Sequence, residues 1–377
     1  MTVLAAQMLG PGTLRVASFP LPEPEPGAVV LEILGSGICG TDKHTWRGES
    51  LQYAGTAHER RAAYPLICGH ENVGVIEALG PGAPPLDQDG RPLGIGDRVV
   101  PAPNLVCGRC YYCLGGHPYY LCENLHDYGN SLSCAEPPHL FGGWAQRMYL
   151  LPGTRLFRVP DELDSELAVL TELLAVTNGL DRARLLAQAG SGFGFGDTVA
   201  VLGAGPLGLM HLAKADLLGA GRLLAADPVP ARRELARALG AEVAASADEL
   251  GGLVGGRGPD VVASCSGRPE TFLDALELVR PGGVVIEAGA FVDMGPVPVD
   301  PNRHVCSKGV AILGVGGEVL EQYGPALRML ARSGDRFPFR RVITHRVGLD
   351  GIAHMLEATD AIKVLVVPNR APDRKGV

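Results

Sequence analysis

Hydrophobic and polar residues follow two different patterns along the chain. Before about residue 175, short apolar runs stand between Gly and Pro residues and predict strands at Val29–Ile38, Asn72–Leu79 and Trp144–Leu150. From Thr198 onward, short apolar runs alternate with segments of helical spacing. Such alternation is typical of a parallel sheet that is covered by helices on both faces.

The second region contains a regular series of predicted elements. A helix over Ser165–Ala187 precedes it, because leucines recur there at helical spacing. After about Leu313 the alternation of strands and helices is lost, and the apolar run Ala361–Val367 predicts a final strand. The chain therefore reads as an α/β protein in which a β-rich domain is split in sequence around a dinucleotide-type domain. The predicted strands of that domain are Thr198–Leu202, Arg222–Ala226, Asp260–Ser264 and Val284–Glu287, and its first helices are Pro206–Leu218 and Ala231–Leu239.

Composition excludes several classes of protein. The 377 residues carry a formal net charge of -8 without a basic stretch, so nucleic acid is not expected as a partner. The longest charge-free run, Thr198–Ala213, is too short and too rich in glycine for a membrane span. The first residues lack the basic segment and apolar core of a signal peptide. We therefore expect a cytoplasmic enzyme that does not associate with membranes.

A glycine motif follows the first strand of the second region. Gly203, Gly205 and Gly208 form the pattern GxGxxG, with Pro206 and Leu207 between the last two glycines. Between a strand and a helix, this pattern is typical of a site that binds the pyrophosphate of a dinucleotide. A glycine turn without a ligand is the alternative.

Asp227 follows directly after the next predicted strand and helps to distinguish NAD from NADP as the coenzyme. A carboxylate at this place accepts hydrogen bonds from both ribose hydroxyls and repels a 2′-phosphate, so Asp227 favours NAD over NADP. Arg232 and Arg233 follow closely and are able to hold a 2′-phosphate instead. We expect NAD as the cofactor, with the glycine motif, Asp227 and Arg232 among its binding residues.

Four cysteines lie close together in the sequence, at Cys107, Cys110, Cys113 and Cys122. In a cytoplasmic chain, clustered cysteines are metal ligands more often than disulfides. Four thiolates complete a tetrahedral shell and leave no position for a substrate, so this spacing predicts a structural zinc site. Four free or oxidised cysteines are the alternative.

Further motifs are spread along the chain: GICGTDKH (37–44), GHENVG (69–74), GDRV (96–99), GGWAQ (142–146), TELLAV (171–176) and AIKVLVV (361–367). Together with the four cysteines and GAGPLG (203–208), they resemble the zinc-containing medium-chain dehydrogenase/reductase family. This family includes alcohol, sorbitol and threonine dehydrogenases. From the residues alone, Cys39 and His70 would not identify a metal site, since a lone cysteine or histidine is usually a core or surface residue. The resemblance covers essentially the whole chain.

The resemblance implies two domains with the active site in the cleft between them. A GroES-like catalytic domain would comprise residues 1–175, with a structural zinc lobe at about 103–125, and would resume at 314–377. A Rossmann NAD-binding domain with a doubly wound parallel sheet would occupy residues 176–313. The family is usually dimeric or tetrameric, and Val310–Val315 resembles the last strand of the coenzyme sheet, which often pairs across a subunit interface.

The resemblance also implies a catalytic zinc ion held by Cys39 and His70. One or both of Glu71 and Glu172 would complete the ligand set, and water or substrate would take the remaining position. Asp42 resembles the carboxylate that orients the metal-bound histidine.

Three further residues match positions with roles in the family. Thr41 resembles the hydroxyl that first takes the substrate proton, which would pass through the nicotinamide ribose to His44. Lys363 resembles the family's basic residue near the coenzyme pyrophosphate. A turn hydroxyl and a surface histidine are the alternatives for Thr41 and His44.

The chain departs from the family pattern at several places. Leu173 stands where the family usually has proline, and the last gap between the four cysteines is one residue longer than the commonest one. Two insertions lie at about Glu49–Ala63 and Pro84–Leu93, and we expect the first to line or cover the substrate cleft. In it, Arg60 and Arg61 are candidates to bind an anionic group of the substrate, against the alternative of a solvated loop.

These observations predict a zinc-dependent oxidoreductase that transfers a hydride between NAD and a secondary alcohol, a polyol or a sugar-derived alcohol. The alternatives are a dehydrogenase or reductase of an anionic alcohol or aldehyde, and a catalytically silent protein that binds NAD and zinc. Cys39, His70, Glu172 and Asp227 argue against a zinc-free reductase that uses NADPH. The expected partners are a small-molecule substrate and further copies of the chain in a homodimer or homotetramer.

Overall fold

The computed structural model describes residues 2–186, 192–334 and 336–370, which form two compact units. Ala187, the last residue of a predicted helix, and residues 371–377 of the predicted second catalytic segment lie outside the described residues. Unit 1 contains the described residues of Met1–Glu172, Tyr323–Arg332 and Ile343–Val377, and unit 2 contains those of Leu173–Gln322 and Ser333–Val342.

Strands and short helices form the first part of the chain. The strands are β1 (Thr2–Gly10), β2 (Thr13–Pro20), β3 (Val29–Ile38), β4 (Leu66–Ile67), β5 (Glu71–Leu79), β6 (Arg98–Pro101), β7 (Asn104–Leu105), β8 (His126–Asp127), β9 (Arg147–Leu150) and β10 (Leu156–Arg158). The helices are α1 (Gly40–Arg47), α2 (Tyr111–Leu114), α3 (Ser165–Ala168) and α4 (Thr171–Val176), and a 3-10 turn lies at Tyr119–Leu121.

Helices and strands alternate in the rest of the chain. The helices are α5 (Asn178–Leu186), α6 (Pro206–Leu217), α7 (Pro230–Ala238), α8 (Ala247–Val254), α9 (Pro269–Leu278), α10 (Tyr323–Ser333), α11 (Phe339–Val342) and α12 (Ile352–Glu357), with a π-helical turn at Pro301–Cys306 and 3-10 turns at Leu320–Gln322 and Leu349–Gly351. The strands are β11 (Thr198–Leu202), β12 (Arg222–Ala226), β13 (Glu242–Ala244), β14 (Val261–Ser264), β15 (Val284–Glu287), β16 (Ala311–Gly314), β17 (Ile343–Val347) and β18 (Lys363–Val366).

Unit 1 is built around β3, the strand with the most partners in its main sheet. The strands of that sheet follow the order β10-β6-β5-β3-β18-β17, and β9 also pairs with β3. Eight of the ten residues of β3 are buried and the other two are partly buried, which fits its mostly apolar sequence. A smaller sheet, β2-β1-β4, packs into the core of unit 1 through Ala5, Met8 and Leu66.

Unit 2 contains one six-stranded parallel sheet with the order β13-β12-β11-β14-β15-β16. The order reverses direction beside β11, and dinucleotides bind at the carboxyl ends of the strands at such a point. Residues of β11, β12 and β14 are buried almost throughout, as expected for a sheet covered on both faces. The predicted α/β fold, a split β-rich domain with an inserted doubly wound sheet, is confirmed.

The helix predicted over Ser165–Ala187 is divided into α3, α4 and α5. The side chains of Thr171, Thr177 and Asn178 each donate a hydrogen bond to a carbonyl oxygen three residues earlier, at 2.6 to 3.2 Å. Such local bonds compete with the hydrogen bonds that continue a helix. Within the described part of the chain, every helix is too short or too polar to cross a lipid bilayer.

Candidate functional site

Three metal-ligating side chains from separate parts of the sequence lie together in unit 1. Cys39 follows β3 and is the N-cap residue of α1, while His70 and Glu71 stand at the start of β5. The strands β3 and β5 pair as antiparallel neighbours, with Gly37 opposite Glu71. Because of this pairing, one ligand atom from each of Cys39, His70 and Glu71 lies within 4.8 Å of the other two.

Two glycines leave the space that these ligands need. A Cβ atom at Gly37 would stand 1.8 Å from Oε2 of Glu71, so a larger residue at this position displaces the carboxylate. Gly69, directly before His70, has a φ of +92°, and a Cβ atom there would lie 2.4 Å from Oγ of Ser36. The motifs around Cys39 and His70 therefore contain glycine for steric reasons.

Asp42 lies beside both Cys39 and His70. Its Oδ2 accepts a hydrogen bond from the backbone N–H of Cys39 at 2.8 Å, and its Oδ1 lies 3.8 Å from Nδ1 of His70. Oδ1 of Asp42 and Nδ1 of His70 are both buried without a hydrogen-bond partner among the described residues. Burial raises the pKa of Asp42, whereas the charge of His70 lowers it. This placement fits a carboxylate that orients the histidine ring.

Several negatively charged groups surround His70. Burial alone lowers the pKa of this imidazole, but the charges of Asp42 and Cys39, with a contribution from Glu172, raise it well above 6.5. Glu172 is buried on α4. The ligand atoms that lie within 4.8 Å of one another come from Cys39, His70 and Glu71, and Glu172 does not contribute one to this group. Thiol, imidazole and carboxylate groups in a buried negative environment fit a zinc ion.

Lys363 makes a buried contact with Glu71 that the sequence analysis did not predict. Its Nζ lies 2.7 Å from each carboxylate oxygen of Glu71 and donates a hydrogen bond to the carbonyl oxygen of Ile38 at 3.0 Å. Lys363 is only 1% exposed, and Glu71 is fully buried. These contacts engage the ammonium group within unit 1, and the assignment of Lys363 to coenzyme pyrophosphate stays a prediction.

Thr41 and His44 lie on α1, close to the metal-ligand group. Oγ1 of Thr41 is 3.9 Å from Sγ of Cys39. Nδ1 of His44 is paired with Oε2 of Glu49 at 2.8 Å, and Arg47 donates a hydrogen bond to the same oxygen at 3.0 Å. Hydrogen bonds from His44 and Arg47 lower the pKa of Glu49. The two residues predicted to move a proton therefore stand one helical turn apart, Thr41 buried and His44 partly exposed.

The four clustered cysteines converge as their spacing predicted. Their sulfur atoms all lie within 4.8 Å of one another, with Cys110 to Cys113 at 3.5 Å and Cys107 to Cys113 at 4.0 Å. A tetrahedral zinc site with zinc–sulfur bonds of about 2.3 Å places its sulfur atoms about 3.8 Å apart. A hydrogen bond from the backbone of Arg109 lowers the pKa of Cys107 to about 6. This arrangement fits a structural zinc ion.

In unit 2, the glycine motif lies between β11 and α6. Gly203 has a φ of +95°, Gly205 is the N-cap residue of α6, and Pro206 and Leu207 begin the helix. A Cβ atom at Gly208 would stand 2.0 Å from the carbonyl oxygen of Gly203. The three glycines thus allow the sharp turn and the close packing that place a helix N-terminus beside a pyrophosphate.

Asp227 reaches the glycine motif from the end of β12. Its Oδ2 accepts a hydrogen bond from the backbone N–H of Ala204 at 2.9 Å, and its Oδ1 accepts one from Val229 at 2.8 Å. Arg232 lies 3.5 Å from the same carboxylate, and Arg233 donates a hydrogen bond to the backbone oxygen of Asp227. The structure therefore brings the predicted coenzyme residues of unit 2 together.

Comparisons with known proteins agree with this geometry. Residues 25–161 match the family described as alcohol dehydrogenase GroES-like domain, and residues 206–332 match the family described as zinc-binding dehydrogenase. The chain is 32% identical to a 5-exo-hydroxycamphor dehydrogenase of Pseudomonas putida, over 95% of each chain. It is 31% identical to an L-threonine 3-dehydrogenase of Pyrococcus horikoshii, over 86% of each.

The chain belongs to the zinc-binding alcohol dehydrogenase family. This medium-chain dehydrogenase is similar in structure to an alcohol dehydrogenase from Thermotoga maritima, with a TM-score of 0.86, 27% identity, and coverage of 97% of this chain and 99% of that one. A zinc-binding dehydrogenase from Sinorhizobium meliloti, solved with NADP bound, gives a TM-score of 0.80 at 27% identity, covering 98% and 100% of the two chains. The predicted family and enzyme class are confirmed.

In this dehydrogenase, the first insertion packs against another segment of unit 1. Arg60 donates a hydrogen bond to the carbonyl oxygen of Leu125 at 2.5 Å and forms an ion pair with the buried carboxylate of Asp127. Its guanidinium also lies 5.0 Å from the ring centroid of Tyr53. The hypothesis that Arg60 binds an anionic substrate is therefore corrected, since its charge is already compensated. Arg61, next to it, is exposed.

Several polar residues near the insertion were missed by the sequence analysis. Asp127, Gln52 and Asn130 are 2%, 1% and 6% exposed, although all three are polar. They belong to none of the motifs above, and polar residues in loops are usually solvated. The insertion itself was the one signal in the sequence that pointed to this part of the dehydrogenase.

Proposed function

We propose that this dehydrogenase transfers a hydride between NAD and a secondary alcohol, a polyol or a sugar-derived alcohol, in either direction. The observation that carries the proposal is the buried group of Cys39, His70 and Glu71, whose ligand atoms lie within 4.8 Å of one another. A thiolate, an imidazole and a carboxylate form a ligand set that leaves a position for substrate on zinc.

The donor set supports an assignment of the residues that would hold the catalytic zinc ion. Cys39 and His70 are ligands in the proposal, together with a carboxylate from Glu71 or Glu172. When bound there, zinc supplies a Lewis acid that lowers the pKa of a substrate hydroxyl. Asp42 orients His70, and Lys363 holds the carboxylate of Glu71 at 2.7 Å.

Thr41 and His44 provide a route for the proton of the substrate hydroxyl. The hydroxyl of Thr41, 3.9 Å from Sγ of Cys39, is placed to accept this proton first. His44, one turn along α1, then carries it towards solvent, because an imidazole exchanges protons near neutral pH. The carboxylate of Glu49, 2.8 Å from Nδ1 of His44, holds the ring in place.

NAD is the coenzyme in this proposal. A hydrogen bond from the backbone N–H of Ala204 holds Asp227 at the glycine motif. There its carboxylate accepts hydrogen bonds from the ribose hydroxyls and repels a 2′-phosphate. Arg232, at 3.5 Å, offsets part of that negative charge, and one structural relative carries NADP. The preference therefore needs a direct measurement with both coenzymes.

The proposal extends to the second zinc ion and to assembly. Cys107, Cys110, Cys113 and Cys122 hold a structural zinc ion. The chain forms a homodimer or homotetramer, for which β16 is a candidate contact, because it is an edge strand of the six-stranded sheet and Ile312 is 41% exposed. All nine cysteines lie in the described residues, and none of them forms a disulfide there, which fits the reducing cytoplasm proposed as the location.

The test follows NADH absorbance with zinc-loaded protein and three pools of alcohols: neutral secondary alcohols, neutral polyols, and alcohols that carry phosphate or carboxylate. We expect NAD-dependent oxidation in the neutral pools, loss of activity in Cys39→Ser, and two zinc ions per chain by elemental analysis. Oxidation confined to the anionic pool would overturn the proposed substrate class. Inactivity with all pools, from protein that holds both zinc ions, would overturn the proposed reaction.

A further inference from the structure

A group of polar side chains lies between the first insertion and the segment that follows the cysteine lobe. The insertion contributes Gln52, Tyr53, His58 and Arg60, and the other segment contributes Asp127 and Asn130; these six residues are called the insertion cluster. Five of their polar atoms are buried without a hydrogen-bond partner among the described residues: Gln52 Nε2, His58 Nε2, Arg60 Nε, Asp127 Oδ1 and Asn130 Oδ1. Buried polar atoms in a folded protein normally have partners, so this group needs an occupant.

The cluster is held together by its own backbone and side-chain contacts. Gln52 and Arg60 exchange two backbone hydrogen bonds, at 2.9 and 3.2 Å. The hydroxyl of Tyr53 donates to Oδ2 of Asp127 at 3.3 Å, and the ring centroids of Tyr53 and His58 are 4.6 Å apart. The insertion is therefore held in place, and the unpaired atoms lie on residues that are linked by these contacts.

This cluster is adjacent to the segment that carries His70. Asp127 ends β8 two residues before Gly129, and a Cβ atom at Gly129 would lie 3.0 Å from backbone atoms of Gly69. His70 follows Gly69 directly. Burial raises the pKa of Asp127, while the charges of Arg60 and His70 lower it, so Asp127 lies within electrostatic reach of the metal-ligand group.

The unpaired atoms define the chemistry of an occupant. Nε2 of Gln52 and Nε of Arg60 are donors, whereas Oδ1 of Asp127 and Oδ1 of Asn130 are acceptors. A hydroxyl group donates one hydrogen bond and accepts others, so it satisfies atoms of both kinds. Burial and the charge of Arg60 lower the pKa of His58, and its neutral ring is able to donate or accept.

Charge within the cluster narrows the class of substrate further. The positive charge of Arg60 is paired with the carboxylate of Asp127, whose side chain is only 3% exposed. An anionic group would have to compete with that carboxylate, and an ammonium group would have to compete with the guanidinium. The balance favours a neutral hydroxylated molecule over an acid or an amino acid.

We propose that the insertion cluster binds a second hydroxyl group of the substrate, so that this dehydrogenase prefers neutral diols and polyols over monohydric alcohols. The inference rests on the proposed function, because it names the substrate class of the same site. Gln52 and Asn130 are its specificity residues, since their buried amide groups offer a donor and an acceptor that water or a substrate hydroxyl must satisfy.

The experiment compares two alcohols that differ by one hydroxyl group, cyclohexanol and 1,2-cyclohexanediol, with zinc-loaded enzyme and NAD. Gln52→Met and Asn130→Leu keep the shape of the side chains and remove their hydrogen-bonding groups. We expect each to lower the ratio of kcat/KM for the diol to that for cyclohexanol by about tenfold, mainly through a higher KM for the diol. Arg61→Ala, an exposed change in the same insertion, is the matched control and should leave the ratio unchanged.

Two outcomes overturn the inference. If both variants leave the ratio unchanged, or lower kcat/KM for both alcohols equally, the cluster holds structural water only. If the wild-type enzyme oxidises neither alcohol, the three alcohol pools still decide the proposed function, and titration calorimetry with the diol decides the inference separately. Binding that is weakened about tenfold in Gln52→Met supports it, and absence of binding to the wild-type chain contradicts it.

Discussion

Nζ of Lys363 lies 2.7 Å from both carboxylate oxygens of Glu71, although the two residues are 292 positions apart in the sequence. Both side chains are buried, and Glu71 also belongs to the candidate metal group. Burial lowers the pKa of Lys363, but the charge of Glu71 outweighs it and raises the pKa above its usual value. The last strand of unit 1 thus supplies the charge that allows Glu71 to be buried.

Removal of this lysine should destabilise the protein strongly. In Lys363→Met, the carboxylate of Glu71 loses its partner inside the fold, and breaking a buried ion pair in this way costs about 3–5 kcal/mol. We expect a fall of this size in the free energy of unfolding, measured by urea denaturation near pH 7. The double variant Glu71→Gln/Lys363→Met should recover a large part of the loss. A fall below about 1 kcal/mol would mean that the pair contributes as little as a surface salt bridge.

Gly37→Ala tests whether Glu71 is needed where the structure places it. The added Cβ atom would stand 1.8 Å from Oε2 of Glu71, so the carboxylate must leave its position. We expect the zinc content to fall from two ions to about one per chain by elemental analysis, with activity lost at the same time.

Gly40→Ala is the matched control for that substitution, because a Cβ atom at Gly40 meets nothing within 4 Å. It should keep both zinc ions and most of the activity. Full zinc content in Gly37→Ala would show that the metal-ligand group tolerates displacement of Glu71.

The sequence predicted the parallel sheet of unit 2 well because its strands are apolar on both faces. The predicted bounds of β11, β12 and β15 agree with the structure residue for residue. The helix over Ser165–Ala187 was predicted as one element because periodicity reports only which side chains are apolar. It does not report the side-chain hydrogen bonds of Thr171 and Thr177 that interrupt the helix.

The candidate site was only partly predictable for a similar reason. The motifs around Cys39 and His70 were found through resemblance to a family, and the structure brings these two side chains together with Glu71. Pairing between residues far apart in sequence depends on how the strands are arranged in space. Neither the contact of Lys363 with Glu71 nor that of Arg60 with Asp127 has a local signal in the sequence. The sequence analysis placed Lys363 near the coenzyme and left Arg60 open between an anionic substrate group and a solvated loop.

Asp227→Ser should change the preference between the two coenzymes. The substitution removes the negative charge that repels a 2′-phosphate. It also removes the carboxylate that lies 3.5 Å from Arg232, so the guanidinium group becomes available to attract a 2′-phosphate. We expect kcat/KM for NAD to fall and that for NADP to rise, so that their ratio drops by at least about tenfold. Steady-state kinetics with both coenzymes measure this ratio. Arg237→Ala, an exposed change in the last turn of α7, is the control and should leave the ratio unchanged. An unchanged ratio in Asp227→Ser would remove Asp227 from the coenzyme site.

The second insertion folds around the carboxylate of Asp87. Its two oxygens accept hydrogen bonds from the backbone N–H groups of Asp89, Arg91 and Arg158, and from Nε of Arg91, at 2.8 to 3.0 Å. Burial alone would raise the pKa of Asp87, but the hydrogen bonds from Arg158 and Arg91 outweigh it and lower the pKa. The ionised carboxylate is therefore the form that stabilises this loop.

Asp87→Asn should cost stability in a way that depends on pH. Hydrogen bonds to a charged group contribute about 1.5–3 kcal/mol, so we expect a loss in that range near pH 7. Because the pKa is lower in the folded chain than the unfolded value of about 3.9, the wild-type advantage is complete above that value and disappears as the pH falls through the folded pKa. Urea denaturation near pH 7 and at successively lower pH should therefore give a difference that becomes smaller as the pH falls below the unfolded pKa. The more exposed Asp89→Asn is the control, and a difference for Asp87→Asn that stays constant as the pH falls until the chain unfolds would contradict the role of its charge.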